Sequence, residues 1–244
     1  MITIRSLLYF IAMVFTTVFF GLTMAIVGWF LPFMTASRIA NAWGRSNLFF
    51  LKLFCNLDYR IRGLDNIPQQ ACIIMSKHQS AWETMALRGL LPANQAWVLK
   101  RELMFVPVFG WALAVVNPIA IDRKSGRKAA KQVIEQGVQR LQQNRYVIIF
   151  PEGTRVAPGE KKRYGIGGGL LAEKSGVPVV PIALNAGVFW ARRGLKKLPG
   201  TIDVVIGEPI DSKGKTAAEI TREVERWIES EVAQLPSSAT ESSD

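Results

Sequence analysis

The chain is poor in the residues that most often carry metal and redox chemistry. Its 244 residues contain one histidine and two cysteines, Cys55 and Cys72. The cysteines lack metal-ligand spacing, so the sequence predicts no metal site and two reduced, partly buried thiols in a reducing compartment. There is also no Gly-x-Ser-x-Gly motif, which disfavours a Ser-His-Asp hydrolase.

Acidic residues are scarce as well. The 19 Asp and Glu residues stand against 30 Lys and Arg, which gives a net charge of +11. Such an excess favours anionic partners, namely nucleic acid, acidic lipid head groups or phosphorylated molecules. The sequence has no aromatic-basic pattern typical of nucleic-acid recognition, and a nucleic-acid binder would not need a long apolar run. We therefore expect no nucleic-acid partner.

Charge is absent altogether from residues 6–37. Within this stretch, the apolar run Leu7–Met34 would form a helix roughly 40 Å long, which exceeds the ~30 Å hydrocarbon core of a bilayer. The run is also too long for the apolar region of a cleaved secretory signal. Gly21, Gly28 and Pro32 allow either a tilted span or a re-entrant pair of helices.

Basic residues give this segment an orientation. Only Arg5 precedes the run, whereas several lysines and arginines follow it from Arg38 onward. The positive-inside rule therefore predicts that the chain is bound to the inner, cytoplasmic membrane and that the catalytic part after the run faces the cytoplasm.

Beyond residue 60, short apolar runs alternate with helical patterns, which is typical of an α/β fold. We predict a single mixed sheet covered by helices, with an N-terminal membrane-associated helical segment. The predicted parts are a membrane-anchoring helical segment at 1–58, an α/β domain at 59–235 and a disordered polar tail at 236–244. Strands are expected at 71–75, 96–99, 119–121, 146–150, 179–184 and 202–206, and helices at 80–91, 127–143, 168–175 and 216–235.

The single histidine, His78, lies between a predicted strand and a predicted helix, a position where functional groups are common on α/β sheets. Glu83, five residues later, has two interpretations. It can orient the imidazole and stabilise its protonated form, which leaves the other ring nitrogen free to act as a base. Alternatively, Ser80-Ala81-Trp82-Glu83 is a capping-box pattern, in which Glu83 returns to the backbone of Ser80 at the start of the helix.

The segment Phe150-Pro151-Glu152-Gly153-Thr154-Arg155 follows another predicted strand. Backbone N–H groups at the glycine, the Thr154 hydroxyl and the Arg155 guanidinium would suit one oxyanion, so the segment is a candidate phosphate cradle. A surface turn closed by an ion pair explains the same residues. Lys100 and Arg123 also follow predicted strands, and they either line the same mouth or are solvated surface charges.

In this order, the segments resemble the glycerolipid acyltransferase family, in particular its 1-acyl-glycerol-3-phosphate acyltransferases. That family has a histidine and an aspartate separated by four residues, a basic block, a Phe-Pro-Glu-Gly-Thr-Arg loop and a later Val-Pro block. The resemblance covers about residues 60–210. The counterparts in this chain are His78 with Glu83, residues 100–123, Phe150–Arg155 and Val177–Pro181.

Two positions depart from the family pattern. Glu83 replaces the usual aspartate, which keeps the carboxylate and adds one methylene. Lys77 replaces the asparagine that often precedes the histidine, and it is expected to place a cation beside the base.

The resemblance implies a membrane-bound O-acyltransferase. In such an enzyme His78 would take the proton from the free hydroxyl of lysophosphatidic acid or a related lysophospholipid, and Glu83 would orient His78. The oxygen would then attack an acyl thioester without a covalent enzyme intermediate. The implied partners are membrane lipids and the acyl donor, acyl-CoA or acyl carrier protein, with no bound cofactor. The implied substrate-binding residues are Lys100, Arg123, Glu152, Gly153, Thr154 and Arg155.

Three alternatives stay open at this point. Lipid A-type late acyltransferases tolerate glutamate in the place of Glu83, but they look less like the Phe150–Arg155 segment. Another lysophospholipid acyltransferase would share the same site. The loss of the usual aspartate would also suit a catalytically inactive membrane-surface binding protein.

Overall fold

A seven-stranded sheet forms the centre of the computed structural model, which describes residues 1–122 and 125–239. Its strands are β1 Leu57–Arg62, β2 Ile73–Ser76, β3 Gln95–Lys100, β4 Ile119–Ile121, β5 Tyr146–Ile149, β6 Val179–Leu184 and β7 Gly200–Ile206. Their order is β1-β7-β6-β2-β5-β3-β4. Every neighbouring pair is parallel except β6 with β7, which is antiparallel. The predicted single mixed sheet is confirmed.

The central strands are those with uninterrupted apolar runs. Strands β2, β5 and β6 are buried at every position, as expected for parallel strands covered by helices on both faces. All six predicted strands are present. The sequence analysis missed β1, because this edge strand alternates apolar with charged residues and is only partly buried.

Helices cover both faces of the sheet. They are α1 Ile2–Val27, α2 Phe33–Cys55, α3 Trp82–Leu90, α4 Phe109–Val115, α5 Arg127–Gln142, α6 Gly167–Ser175, α7 Ala186–Phe189 and α8 Ala217–Val232. One hydrophobic core lies between the sheet and α1, α2 and α3, and a second lies between the sheet and α5, α6 and α8.

The N-terminal segment is an antiparallel helical hairpin. Helix α1 ends near Gly28, a short 3-10 turn follows, and α2 begins after Pro32. Arg5 Nε, near the start of α1, donates a hydrogen bond of 2.6 Å to the carbonyl of Phe54 at the end of α2. The part of the chain covered by the structure has one helical stretch that is long and apolar enough to cross a membrane, Ile2–Phe30.

Both ends of α1 contact the α/β domain. Near the first end, Tyr9 is fully buried, its hydroxyl lies 3.7 Å from Met85 Sδ, and its ring meets Trp190 edge to face. Near the other end, Met24 packs with Val115 and its neighbours. The opposite face of α1 carries a row of exposed apolar side chains, among them Phe10, Phe15, Phe19, Leu22 and Ile26.

Two glycines fix the hairpin against the rest of the protein. A Cβ atom on Gly44 of α2 would lie 2.5 Å from the Met85 carbonyl, and one on Gly89 of α3 would lie 2.8 Å from the Arg45 nitrogen. The two backbones are therefore in direct contact, and Arg45 Nε donates a 2.9 Å hydrogen bond to the Gly89 carbonyl. Since α3 begins four residues after His78, this contact ties the hairpin to the histidine loop.

Both thiols are free and fully buried, whereas the sequence analysis expected them to be partly buried. Burial raises the pKa of Cys72 to about 12 and also raises the pKa of Cys55. Both side chains are therefore protonated and unreactive near neutral pH.

The predicted tail at 236–244 is described only as far as Ala239. Its first residue is held in place, because the Pro236 carbonyl accepts a hydrogen bond of 3.1 Å from Asn185 Nδ2. Ala239 packs against the core under α1, α2 and α3. Residues 240–244 lie outside the described part.

We predict that Gly44→Ala destabilises the protein by about 1–3 kcal/mol, because the new methyl group would overlap backbone atoms of α3 that cannot move independently. The melting temperature in detergent micelles measures this. Gly167→Ala is the matched control, since a Cβ there would lie 3.9 Å from the nearest atom, Val133 Cγ2. Equal melting temperatures for the two variants would show that α2 and α3 are not in close contact.

Candidate active site

His78 and the Phe150–Arg155 segment lie at the same edge of the sheet. His78 follows the carboxyl end of β2, and the segment begins where β5 ends. Strands β2 and β5 are parallel neighbours, so their carboxyl ends meet at one edge. In open α/β sheets this edge is where ligands bind.

The chain after β5 contacts His78 at three points, which are its backbone N–H, its carbonyl and its ring. The His78 backbone N–H donates a 2.7 Å hydrogen bond to Glu152 Oε2, and the His78 carbonyl accepts one of 2.8 Å from the Val156 N–H. The imidazole stacks on the Phe150 ring, with ring centres 4.0 Å apart and planes 13° from parallel. The histidine is 8% exposed, so its ring is fixed by neighbours and open on one side only.

Glu83 contacts the turn at the start of α3 and lies next to the His78 ring. Its fully buried Oε1 atom accepts hydrogen bonds from the backbone of Ser80, at 2.7 Å, and of Gln79. The same oxygen lies 3.5 Å from His78 Nδ1. The helix begins at Trp82, two residues later than predicted, and its N-cap residue is Ala81 rather than Ser80.

The distance to His78 Nδ1 is longer than an ordinary N–H···O hydrogen bond. Among the residues described, His78 Nδ1 and Glu83 Oε2 have no hydrogen-bond partner. A proton on Nδ1 would face Glu83, and the opposite ring nitrogen, Nε2, would then be the one able to accept a proton. Catalytic hydrogen bonds are often long in structures without substrate and shorten in the complex.

Lys77 does not lie beside the imidazole, which corrects the expectation from the sequence. Its side chain is 1% exposed, and its Nζ atom lies 2.8 Å from Glu152 Oε1 and 2.7 Å from Glu229 Oε1 on α8. The Tyr164 hydroxyl also donates to Glu229 Oε1, at 2.9 Å. Lys77 points away because adjacent residues of an extended chain face opposite sides of the sheet.

Buried charges in this cluster shift one another's pKa values. Burial raises the pKa of Glu152, and the hydrogen bond and charge of Lys77 oppose that rise. Burial lowers the pKa of Lys77, but its two carboxylate partners outweigh this effect and the net shift is upward. Lys77 is therefore a charged, fully paired lysine at neutral pH.

Glu152 was expected among the substrate-binding residues, and the geometry does not support that role. Its carboxylate is buried and faces Lys77 and the backbone of His78 rather than an open space. Gly153 follows with φ +69°, a left-handed conformation that favours glycine. This turn carries the next two side chains, Thr154 and Arg155, to the wall of a cavity.

A cavity of about 740 Å³ extends from His78. Its polar lining includes Lys100, Thr154, Arg155, Arg192 and Arg193, together with Thr84, Arg88 and Gln95. The rest is mainly apolar and is formed by α1, α2, α4 and the end of β3, with side chains such as Phe20, Met24, Trp43, Trp97, Phe109 and Leu113. The cavity thus combines cationic side chains, which we call its mouth, with a mainly apolar part, which we call the apolar channel.

Of the predicted basic residues, Lys100 and Arg155 lie at this mouth, and Lys100 forms an exposed 3.0 Å ion pair with Glu102. Arg123 lies outside the described residues. In the part of the chain that the structure covers, no cluster of three or more His, Cys, Asp and Glu side chains could hold a metal ion.

Sequence reasoning missed Arg192 and Arg193. They lie between α7 and β7, at the edge where β6 ends, and Arg192 Nη1 donates a 3.2 Å hydrogen bond to the Arg155 carbonyl. Burial lowers the pKa of Arg155, as does the nearby charge of Arg192, while Glu83 opposes them. The available signal was the arginine pair in Ala191-Arg192-Arg193-Gly194, which follows a predicted strand as Lys100 does.

These features suit one kind of chemistry. A histidine can take a proton, clustered arginines can hold an anion beside it, and an apolar channel can hold a hydrocarbon chain. A family model described as acyltransferase matches residues 58–185.

Known proteins similar to the chain extend this match. A 1-acyl-sn-glycerol-3-phosphate acyltransferase from Pseudomonas aeruginosa is 40% identical over 237 residues, which are 95% of this chain and 91% of that protein. The 1-acyl-sn-glycerol-3-phosphate acyltransferase beta of Homo sapiens is 29% identical over 81% of this chain and 66% of its own length. The crystal structure of the 1-acyl-sn-glycerophosphate (LPA) acyltransferase PlsC from Thermotoga maritima has the same fold, with a TM-score of 0.77, 24% identity and coverage of 95% of this chain and 94% of that one.

Proposed function

The chain belongs to the acyltransferase family, and from this premise we propose that it transfers an acyl chain from acyl-CoA or acyl carrier protein to lysophosphatidic acid, making phosphatidic acid. It is an O-acyltransferase, which excludes the alternative of an inactive binding protein. The observation that carries the proposal is the single cavity that joins His78, the arginine cluster and the apolar channel.

In the proposed reaction, His78 Nε2 takes the proton from the free hydroxyl of the acceptor. The oxygen attacks the carbonyl carbon of the thioester, the new C–O bond forms, and the C–S bond breaks. His78 then returns the proton to the departing thiolate, so no acyl group is attached to the enzyme. Glu83 stabilises the protonated imidazole and holds the backbone turn that carries it.

Arg155 and Thr154 are the proposed ligands of the acceptor phosphate, with Arg192, Arg193 and Lys100 around them. Guanidinium groups suit phosphate because they can donate two parallel hydrogen bonds to it. The proposal leaves Glu152 out of the substrate site, because its carboxylate is taken up by Lys77 and His78. Arg123 stays a sequence-based prediction.

The apolar channel is the proposed site of the acyl chain. Its walls are helices α1, α2 and α4. Exposed apolar residues lie on α1, such as Phe15 and Phe19, just before α4 at Phe105, and on α4 itself at Trp111. Exposed apolar surfaces of this extent mark membrane or protein contacts. We therefore propose that this surface lies in the membrane that supplies the lipid acceptor, on the cytoplasmic side.

Between the two arrangements left open by the sequence, the contacts of α1 favour a re-entrant hairpin. Tyr9 and Met24, near opposite ends of α1, both pack on the α/β domain. A tilted span of α1 across the bilayer would draw that domain, with its charged surface, towards the hydrocarbon region. A hairpin lying against one face of the membrane avoids this cost.

We predict that His78→Ala lowers kcat about 10²–10⁴-fold, the usual contribution of a general base. Glu83→Gln should cause a smaller loss, because the amide oxygen can still accept from the turn but carries no charge. The measurement is transfer of a labelled acyl chain in membranes containing each variant. Glu173→Gln, an exposed site on α6, is the control. Wild-type rates for His78→Ala would exclude His78 as the base.

Arg155→Ala is expected to raise the KM for lysophosphatidic acid about 10- to 100-fold, the typical effect of losing a hydrogen bond to a charged group. The KM for a monoacylglycerol acceptor, which lacks the phosphate, should change little. Arg62→Ala, at an exposed position of β1, is the matched control. An equal rise in both KM values would remove Arg155 from the phosphate site.

Leu113→Trp should shift the preference towards shorter acyl donors, because the larger ring would fill part of the channel. The ratio of activity with dodecanoyl and octadecanoyl donors, read by mass spectrometry of the product, measures this shift. Leu53→Trp, on an exposed part of α2, is the control. An unchanged ratio in Leu113→Trp would mean that the acyl chain binds elsewhere.

A further inference from the structure

Lys77 occupies an unusual position for a lysine. Its side chain is 1% exposed, and it lies directly before the catalytic histidine in the chain. Its ammonium group contacts two carboxylates from distant parts of the sequence, Glu152 after β5 and Glu229 on α8. Lysines are almost never fully buried without such pairing.

Glu152 connects this cluster to the reaction site. Its Oε1 atom faces Lys77 Nζ at 2.8 Å, and its Oε2 atom accepts the His78 backbone N–H at 2.7 Å. One carboxylate oxygen therefore contacts the Lys77 ammonium group, and the other accepts the hydrogen bond from the His78 backbone. Its own side chain is fully buried, so water cannot replace either partner.

We propose that Lys77 is a positioning residue for the acyl transfer: it keeps the Glu152 carboxylate ionised and oriented so that Glu152 holds the backbone of His78 in the catalytic geometry. The inference rests on the proposed function of His78 as the base. A protonated Glu152 would be a weaker and differently oriented acceptor, since one of its oxygens would become a donor. The loop carrying the imidazole would then lose one of its two backbone contacts with the chain after β5, which are made at Glu152 and Val156.

The groups around Glu152 set the direction of the pH effect. Burial is the largest cause of its raised pKa, Glu229 raises it further, and Lys77 opposes both. Tyr164, from the loop before α6, is kept neutral because burial raises its own pKa, and Glu225 of α8 acts in the same direction on Tyr164. His78 contributes its backbone N–H, which favours the ionised carboxylate. Removing Lys77 therefore raises the pKa of Glu152.

The test is the pH profile of kcat for Lys77→Met, which keeps the length of the side chain and removes the charge. Below the new pKa of Glu152, the ionised fraction falls about tenfold for each pH unit, so the acid limb of the profile should move to higher pH. Activity on the acid limb should therefore fall and should recover at alkaline pH, with little change in KM. Lys174→Met, at an exposed lysine of α6, is the matched control and should leave the profile unchanged.

A second substitution separates positioning from general support of the fold. In Lys77→Met/Glu152→Gln, the amide oxygen can accept the His78 N–H without being ionised, so kcat at neutral pH should exceed that of Lys77→Met. The inference would be overturned if the acid limb of the Lys77→Met profile coincided with that of the wild type, or if kcat at neutral pH did not rise in the double variant.

Two further comparisons separate a failure of this inference from a failure of the proposed function. If Lys77→Met does not fold, Glu152→Gln is compared with Glu152→Leu, because Lys77 keeps Glu229 as its partner in both. The proposal requires a kcat for Glu152→Gln at least about tenfold above that for Glu152→Leu, the effect of a lost buried hydrogen bond, and equal values would refute it. His78→Ala, measured in the same assay, tests the proposed function by itself.

Discussion

The hydrogen bond from the His78 backbone to the Glu152 carboxylate joins the two loops that form the site. It depends on the parallel pairing of β2 with β5, which brings the carboxyl ends of both strands to one edge. The loop after β5 is held at Glu152 and again at Val156, and Thr154 and Arg155 lie between these two anchors. Because the anchored ends fix the short segment, the proposed phosphate ligands and the proposed base keep a constant separation. The same contact thus sets both halves of the proposed chemistry.

Charge is arranged in two zones around this contact. On the inner side, Lys77 is enclosed by carboxylates and its charge is compensated. At the cavity mouth, Arg155 is half-buried beside Arg192, and both burial and that neighbour lower its pKa. Repulsion between the guanidinium groups is a cost to the empty protein that a bound phosphate would offset, so ligand binding should also stabilise the fold. The buried ion pairs of Lys77 therefore make the loops around His78 rigid, whereas the arginines at the cavity mouth form the proposed binding site for an anion.

The sequence predicted the features that depend on local pattern. Buried strands such as β2 and β5 are continuous apolar runs, and the position of His78 at a strand end follows from them. The direction in which each polar side chain points was harder to predict. Whether Lys77 faces the histidine or α8 depends on Glu229, which is 152 residues away in the chain. Glu152 belongs to the same motif as Arg155, yet it turns inward because its partners lie on other elements. The two readings of Glu83 could not be separated because the same oxygen accepts from the backbone of Ser80 and lies 3.5 Å from His78 Nδ1.

The N-terminal hairpin forms part of the cavity wall and also carries the exposed apolar surface proposed to contact the membrane. Helices α1 and α2 supply Phe20, Met24 and Trp43 to the channel wall, while the outward face of α1 is exposed and apolar. The glycine contact between α2 and α3 links this wall to the helix that follows His78. A helix acting only as a tether would need no such contacts, and removing it would leave the active site intact. Here removal of the hairpin would open one side of the channel to water and loosen the start of α3, so the proposed attachment to a lipid surface and the proposed acyl site depend on the same two helices.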